Sequence, residues 1–277
     1  MPELPEVETI ARALRLGGRG SPALVGKRIL EARLLWRRTL AEPAPEAFHR
    51  RIVGQFIRDI SRRGKYLVFH LEADYLLIHL RMSGDLLVES SDAPLAVHHR
   101  LVLDLEDGLR LTFNDARKFG RVWLVTDPAV VLARLGPEPL DESFTVEILY
   151  RRLQSCRRQL KPLLLDQSFL AGMGNIYTDE ALHMAGLHPL VLSHMVSESQ
   201  AARLWESIRS VLQDGICRQG ASIDWVYRGG DFQNYFRVYQ RTGKPCLVCG
   251  TTVERMLTGQ RGTHFCPTCQ RLDESGE

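Results

Sequence analysis

The sequence contains no apolar run long enough to cross a bilayer. The longest, such as YLLIHL at 75–80, fall far below the roughly 20 residues a spanning helix requires. Its opening lacks the basic and apolar regions of an export signal, so a cytoplasmic protein is expected. No internal repeat and no low-complexity tract occurs, which argues against solenoids and against disorder. Cysteine is scarce, with six in 277 residues. Acidic residues are locally depleted too. Residues 50–65 carry six Lys/Arg against one acid, and residues 228–271 carry seven against two, although the net charge is only +3. Clustered positive charge beside aromatics suits a polyanion partner, whereas most charge runs are merely solvated faces.

What remains is ordinary globular material. The apolar fraction is 44%, enough for real cores, and the length suits two domains with a small appendage. Val7, Ile10, Ala11 and Leu14 form the stripe of an amphipathic helix that starts near Pro5 and closes at Gly17-Gly18. From about 66 to 125 the text reads as strands, with Glu106-Asp107-Gly108 as a hairpin turn between the alternating Leu101/Leu103/Leu105 and Leu109/Leu111/Phe113. LGPEPL (135–140) reads as a boundary, and about 141–219 turns helical. An α+β chain is expected, with units at 1–134, 141–229 and 236–271.

Cys156 and Cys217 stand alone and read as small core residues. The other four form CLVC (246–249) and CPTC (266–269), spaced C-x2-C-x16-C-x2-C. Two such knuckles complete a tetrahedral thiolate site, so Cys246, Cys249, Cys266 and Cys269 are expected to hold one structural zinc ion. Two disulfides or a redox pair are the rival readings. Disulfides do not suit a chain without an export signal, and a redox pair needs no twin. Arg261 lies between the knuckles, in TGQRGTHF. It is either an idle surface residue or an arginine held out by a braced hairpin toward a phosphate, and the second is favoured.

The stretches MPELPEVE, RRGKYL (62–67), HLRMSG (79–84), FNDARKFG (113–120), GPEPL (136–140), GMGNIYTDEAL (172–182) and QRGTHFCPTCQ (260–270) fall in one order along the chain. Together they resemble the formamidopyrimidine-DNA glycosylase family of bacterial base-excision repair enzymes, from residue 2 to about 270. The resemblance implies an N-terminal β-sandwich with a leading helix, a helix–two-turn–helix domain and a C-terminal four-cysteine zinc finger. It implies a monomer that acts on damaged double-stranded DNA and excises 8-oxoguanine and formamidopyrimidines.

By the same resemblance, Pro2 is the nucleophile once Met1 is removed. An α-amino group titrates near pH ~8, so part of it is neutral at physiological pH. If Met1 stays, that nitrogen is an amide and the chemistry stops. Glu3 implies a general acid and base, Glu6 a supporting carboxylate, Lys65 a proton donor in β-elimination, and Arg261 a phosphate contact in δ-elimination. Flipping the base out leaves a gap. Met82, Arg117 and Phe119 match the residues that fill it, with Arg117 facing the orphaned cytosine. His98, Lys161 and Asn175 match DNA or phosphate contacts, Asn175 also as a helix cap. GASIDWVYRGGDFQNYF resembles the lesion-recognition loop, expected to order only around damaged DNA, with Ser222 at the flipped base.

Each residue has a plainer reading as a helix-start acid, a strand-edge lysine or a core side chain, which only the resemblance overturns. Ala116 and Lys118 depart from the family's proline and arginine, and Lys118 loses bidentate geometry. Cys156 replaces a basic residue. The alternatives are an endonuclease VIII-like enzyme for oxidised pyrimidines, disfavoured by PELPEVE and by the Arg117/Phe119 pair, and a non-catalytic binder of damaged DNA.

Overall fold

A computed structural model describes residues 1–18, 20–222 and 229–272. The chain divides into two compact units. One comprises Met1–Ala133 together with Gln219–Gly230; the other comprises Arg134–Arg218 and Asp231–Glu277. Among the described residues, no helix is long and apolar enough to cross a membrane.

The first unit opens with helix α1 (Leu4–Leu16), capped by Glu3 and closed by Gly17 at φ 81°. The expected stripe of Val7, Ile10, Ala11 and Leu14 is buried. Two sheets follow. One holds β1 (Ile29–Leu34), β7 (His99–Leu105), β8 (Leu109–Asp115) and β6 (Gly84–Ser90), in that spatial order. The other runs β2 (Leu40–Glu42), β9 (Arg121–Val125), β5 (Tyr75–His79), β4 (Tyr66–His70) and β3 (Asp59–Arg63). All pairings are antiparallel except β2 with β9. The hairpin expected at 106–108 joins β7 to β8, with Asp107 and Gly108 both at positive φ.

Inward residues of both sheets share one core with α1. Leu103 and Phe113 come from the first sheet, Phe69, Ile78 and Leu124 from the second, and Ile10 from the helix. Helix α2 (Pro45–Ile52) covers part of the core with Phe48 and Ile52; its proline sits in the first turn, where a missing N–H costs nothing. A short helix α3 (Ala129–Leu132) follows β9.

The second unit is helical first. It holds α4 (Val146–Gln154), α5 (Leu160–Leu165), α6 (Asn175–Ala185) and α7 (Glu198–Cys217). Thr145 caps α4 through its side chain, and Ser197 with Gln200 forms a capping box on α7. The hairpin β10 (Glu254–Thr258) and β11 (Arg261–Phe265) follows. The cysteine-bearing end holds only a small cluster of Val238, Cys246, Val253 and Cys266. It gains its footing from α6, as shown below.

Candidate functional site

At the start of α1, one carboxylate joins distant backbone. Glu6 Oε2 accepts the Glu3 N–H at 2.8 Å, and Glu6 Oε1 accepts the Ala221 N–H at 2.7 Å. The chain preceding Ala221 can come this close only because residue 220 is glycine. Gly220 has φ +82°, and a Cβ there would lie 2.7 Å from Glu6 Cγ. Pro2, Glu3 and Glu6 are all buried. Met1 precedes Pro2 in the described chain, so the Pro2 nitrogen is an amide there.

Ser222 lies at the neck of the loop that begins here. Its hydroxyl accepts the Gly230 N–H at 2.9 Å and donates to Gly230 O at 3.0 Å. A Cβ on Gly230 would meet Gly220 O at 2.2 Å, so the two strands of the neck touch backbone to backbone. Residues 223–228, the middle of the expected lesion loop, lie outside the described residues.

Lys65 occupies the tight turn between β3 and β4, beside Gly64 at φ 56°, and is buried. The turn is tied to α1 through Arg62, which donates to Gly64 O at 3.1 Å and to Glu8 Oε2 at 3.0 Å. Burial would raise the Glu8 pKa, but the Arg62 charge and hydrogen bonds from Arg12 and Arg62 outweigh it and hold the carboxyl low. His79 ends β5, and its pKa is pushed down to about 3 by burial first and then by the charges of Arg81 and Lys65. The ring is therefore neutral. Its Nδ1 accepts the Arg81 N–H at 3.0 Å, and Tyr66 packs edge-on at 4.7 Å.

Four expected DNA contacts gather around Asp115, a fully buried carboxylate at the end of β8. It accepts hydrogen bonds from the Ser83 hydroxyl, from Arg117 N–H at 3.2 Å and from Gly120 N–H at 2.7 Å. Its backbone N–H donates to His98 O at 2.9 Å, and its carbonyl accepts from Arg100 Nε at 2.7 Å. One side chain thus fixes the residue after Met82 and both ends of the segment bearing Arg117 and Phe119, while its backbone anchors His98. Phe119 is 52% exposed, with the Arg117 guanidinium 5.1 Å from its ring centroid. Lys118, the departure from arginine, lies 4.1 Å over the Trp36 ring. The FNDARKFG stretch contained Asp115, yet its importance is invisible there because its partners are backbone groups delivered by folding.

In the second unit, Arg261 follows a two-residue turn. Gly259 and Gln260 both have positive φ, and Thr258 pairs with Arg261. Arg261 is exposed, and the next carbonyl is clamped: Gly262 O accepts from Lys161 Nζ at 2.9 Å and from Asn175 Nδ2 at 3.0 Å. Lys161 also pairs with Asp179 Oδ1 at 2.6 Å, while Asp179 Oδ2 accepts the His264 N–H at 2.9 Å.

Lys161 is 0% exposed and serves as an internal strut. One expectation needs correction. Asn175 is the first residue of α6, after an N-cap Gly174, and its side chain reaches across to the hairpin instead of capping the helix. Sequence reading also missed Glu180. Its buried carboxylate accepts N–H groups from Arg237, Val238 and Tyr239 at 2.7, 3.0 and 2.8 Å, fixing the entry to the cysteine module. Burial pushes its pKa up against those three donors.

The four cysteine sulfurs lie within 4.8 Å of one another. Cys249 and Cys266 are 3.4 Å apart and Cys246 and Cys269 3.9 Å, too far for disulfides. Those spacings bracket the roughly 3.8 Å edge of a tetrahedron built on Zn–S bonds of about 2.3 Å. Backbone N–H groups of Val248 and Cys269 point at Cys246 Sγ and Cys266 Sγ, both at 3.5 Å. Hydrogen bonds from the Thr251 hydroxyl and N–H pull the Cys249 thiol down to about 6. The donor set fits one structural zinc ion.

Comparison with known proteins agrees. Residues 1–122 match the formamidopyrimidine-DNA glycosylase N-terminal domain, 135–226 its H2TH domain, and 243–272 a zinc finger found in FPG and IleRS. The formamidopyrimidine-DNA glycosylases of Chloroflexus aurantiacus and Chloroflexus aggregans are 47% and 46% identical, each match covering 98% of this chain and at least 98% of the relative. Among solved structures, a complex of the Lactococcus lactis protein with Fapy-dG containing DNA aligns with TM-score 0.89 at 36% identity. A MutM complex with carbocyclic 8-oxo-G containing DNA aligns with TM-score 0.90, also at 36% identity. Each covers 98% of this chain and 100% of the other.

Proposed function

Because the chain belongs to the formamidopyrimidine-DNA glycosylase family, we propose that it excises oxidised purines from duplex DNA and then nicks the strand by β- and δ-elimination. It works as a monomer in the bacterial cytoplasm. The observation that carries this reading is the locked start of α1, where Glu6 holds Glu3 against the base of the loop at Ala221.

Removal of Met1 turns Pro2 into a free secondary amine. Its nitrogen bonds to the sugar's anomeric carbon as the glycosidic bond breaks and the damaged base leaves with the bonding pair. Glu3 carries the proton shed by the proline nitrogen to the ring oxygen, the C1′–O4′ bond breaks as the ring opens, and a cationic iminium remains. That cation acidifies the adjacent sugar carbon. Loss of its proton expels the 3′ phosphate, with Lys65 as proton donor, and a second elimination expels the 5′ phosphate, with Arg261 on the phosphate oxygens. Glu6 touches no substrate; it is a positioning residue. Met82 and Phe119 fill the vacated stack, and Arg117 meets the unpaired cytosine. Zinc takes no part in bond breaking and braces the hairpin that carries Arg261.

Borohydride reduction during turnover on an 8-oxoguanine:C duplex is expected to trap a covalent protein–DNA species, with the adduct on Pro2 by peptide mass mapping. No adduct on an actively cleaved duplex would falsify the amine mechanism. Faster excision from thymine glycol:A would instead overturn the choice of substrate.

A further inference from the structure

Four thiolates around one divalent cation leave a net charge of about −2, which needs hydrogen-bond donors wherever water is excluded. Cys246 is such a place, being only 4% exposed. The last turn of α6 lies against the knuckles: a Cβ on Gly186, its C-cap, would sit 3.4 Å from Cys269 O. A helix C-terminus presents the negative end of its dipole, so this neighbour makes a dianionic centre harder to hold.

That same turn carries a compensating group. His183 is buried, and its Nε2 lies 3.4 Å from Cys246 Sγ, an ordinary N–H···S separation. Its Nδ1 has no partner among the described residues. The Nε2 atom must carry the hydrogen, because a bare nitrogen there would set its lone pair against the electron-rich sulfur. The neighbouring backbone donor to this sulfur, Val248 N–H, stands at 3.5 Å. We propose that His183 donates its Nε2–H to the zinc-bound thiolate of Cys246 and so slows loss of the metal. The residue belongs to the helix that begins at the GMGN turn, 63 positions ahead of the first zinc ligand. Zinc retention is therefore shared between the helical bundle and the finger.

The test uses the zinc-loaded full-length protein with His183→Phe, which keeps a ring but no donor, and His183→Gln, which keeps a donor. Zinc release to a chromophoric chelator is followed by stopped flow, and the sulfur-to-metal charge-transfer band is recorded after cobalt substitution. H183F is expected to release zinc about tenfold faster with a shifted cobalt band, and H183Q to stay within about twofold of the parent. Parental release with an unmoved band in H183F overturns the proposal. If H183F does not fold, the cadmium-113 form of the unmutated protein decides. Scalar coupling between the metal and His183 Hε2 supports the bond. Coupling at the Val248 amide but none at His183 overturns it.

Discussion

Individual side chains carry the sharpest consequences. Asp115 accepts three hydrogen bonds while fully buried, so Asp115→Asn turns part of the acceptor into a donor facing N–H groups. A loss of about 1–3 kcal/mol is expected by thermal denaturation. Affinity for damaged duplex should fall with it, because the segments bearing Met82 and Arg117 lose their common anchor. A variant with parental stability and parental binding would show the carboxylate to be idle. Arg261→Ala and Asn175→Ala should both weaken binding in a fluorescence anisotropy titration, for different reasons. Arg261 is exposed and its loss should leave the melting temperature almost unchanged, whereas Asn175→Ala releases the Gly262 carbonyl and should lower it. The family was legible from the sequence because the motifs around Pro2, Glu3 and Arg261 are distinctive. Asp115, Glu180 and the enclosure of Lys161 were not, since a buried charge is defined by partners that only the folded chain assembles.

Among elements, the strands between 66 and 125 announced themselves as apolar runs in β4 and β5, buried on both faces, and by the alternating leucines of β7 and β8. The region from 29 to 63 did not. Its strands are short, DISRR in β3 is mostly half-buried and charged, and β2 pairs in parallel with a strand some eighty positions on. Such pairings leave no local period. The start of α1 makes its own prediction. Glu6→Gln places an amide N–H2 where a carboxylate oxygen now accepts a backbone N–H, and Gly220→Ala drives a methyl into Glu6. Both are expected to lower the single-turnover rate of base release at least tenfold, about 1.4 kcal/mol in barrier, with lesser effect on affinity. Equal rates would remove Glu6 from the positioning role. β5 contributes an acid sensitivity through His79. Its folded pKa near 3 lies below the unfolded value of 6.5, so the unfolded chain takes up the proton first. His79 is therefore neutral in stability above about pH 6.5 and destabilising as pH falls from there toward 3. Denaturant midpoints should drop over that window by an amount reduced in His79→Asn, with a difference on the order of 1–3 kcal/mol near pH 4.

For the whole molecule, the division into two units separates the roles of metal and sheet. The zinc ligands all belong to the unit formed by Arg134–Arg218 and Asp231–Glu277, whereas Pro2, Glu3 and the sandwich core belong to the other. Zinc removal by a strong chelator is expected to abolish binding to damaged duplex, while the near-ultraviolet signal from Trp36 and Trp123 in the sandwich persists. Binding retained after stoichiometric zinc loss would contradict the bracing role assigned to the finger. Binding should also weaken steeply with added salt, as it does for proteins that neutralise several phosphates.

The bond from Glu6 to Ala221 links positions 215 residues apart. During synthesis the leading segment must wait, unlatched, until most of the polypeptide has left the ribosome. Competence arrives late, as one of the final steps of the chain's own assembly.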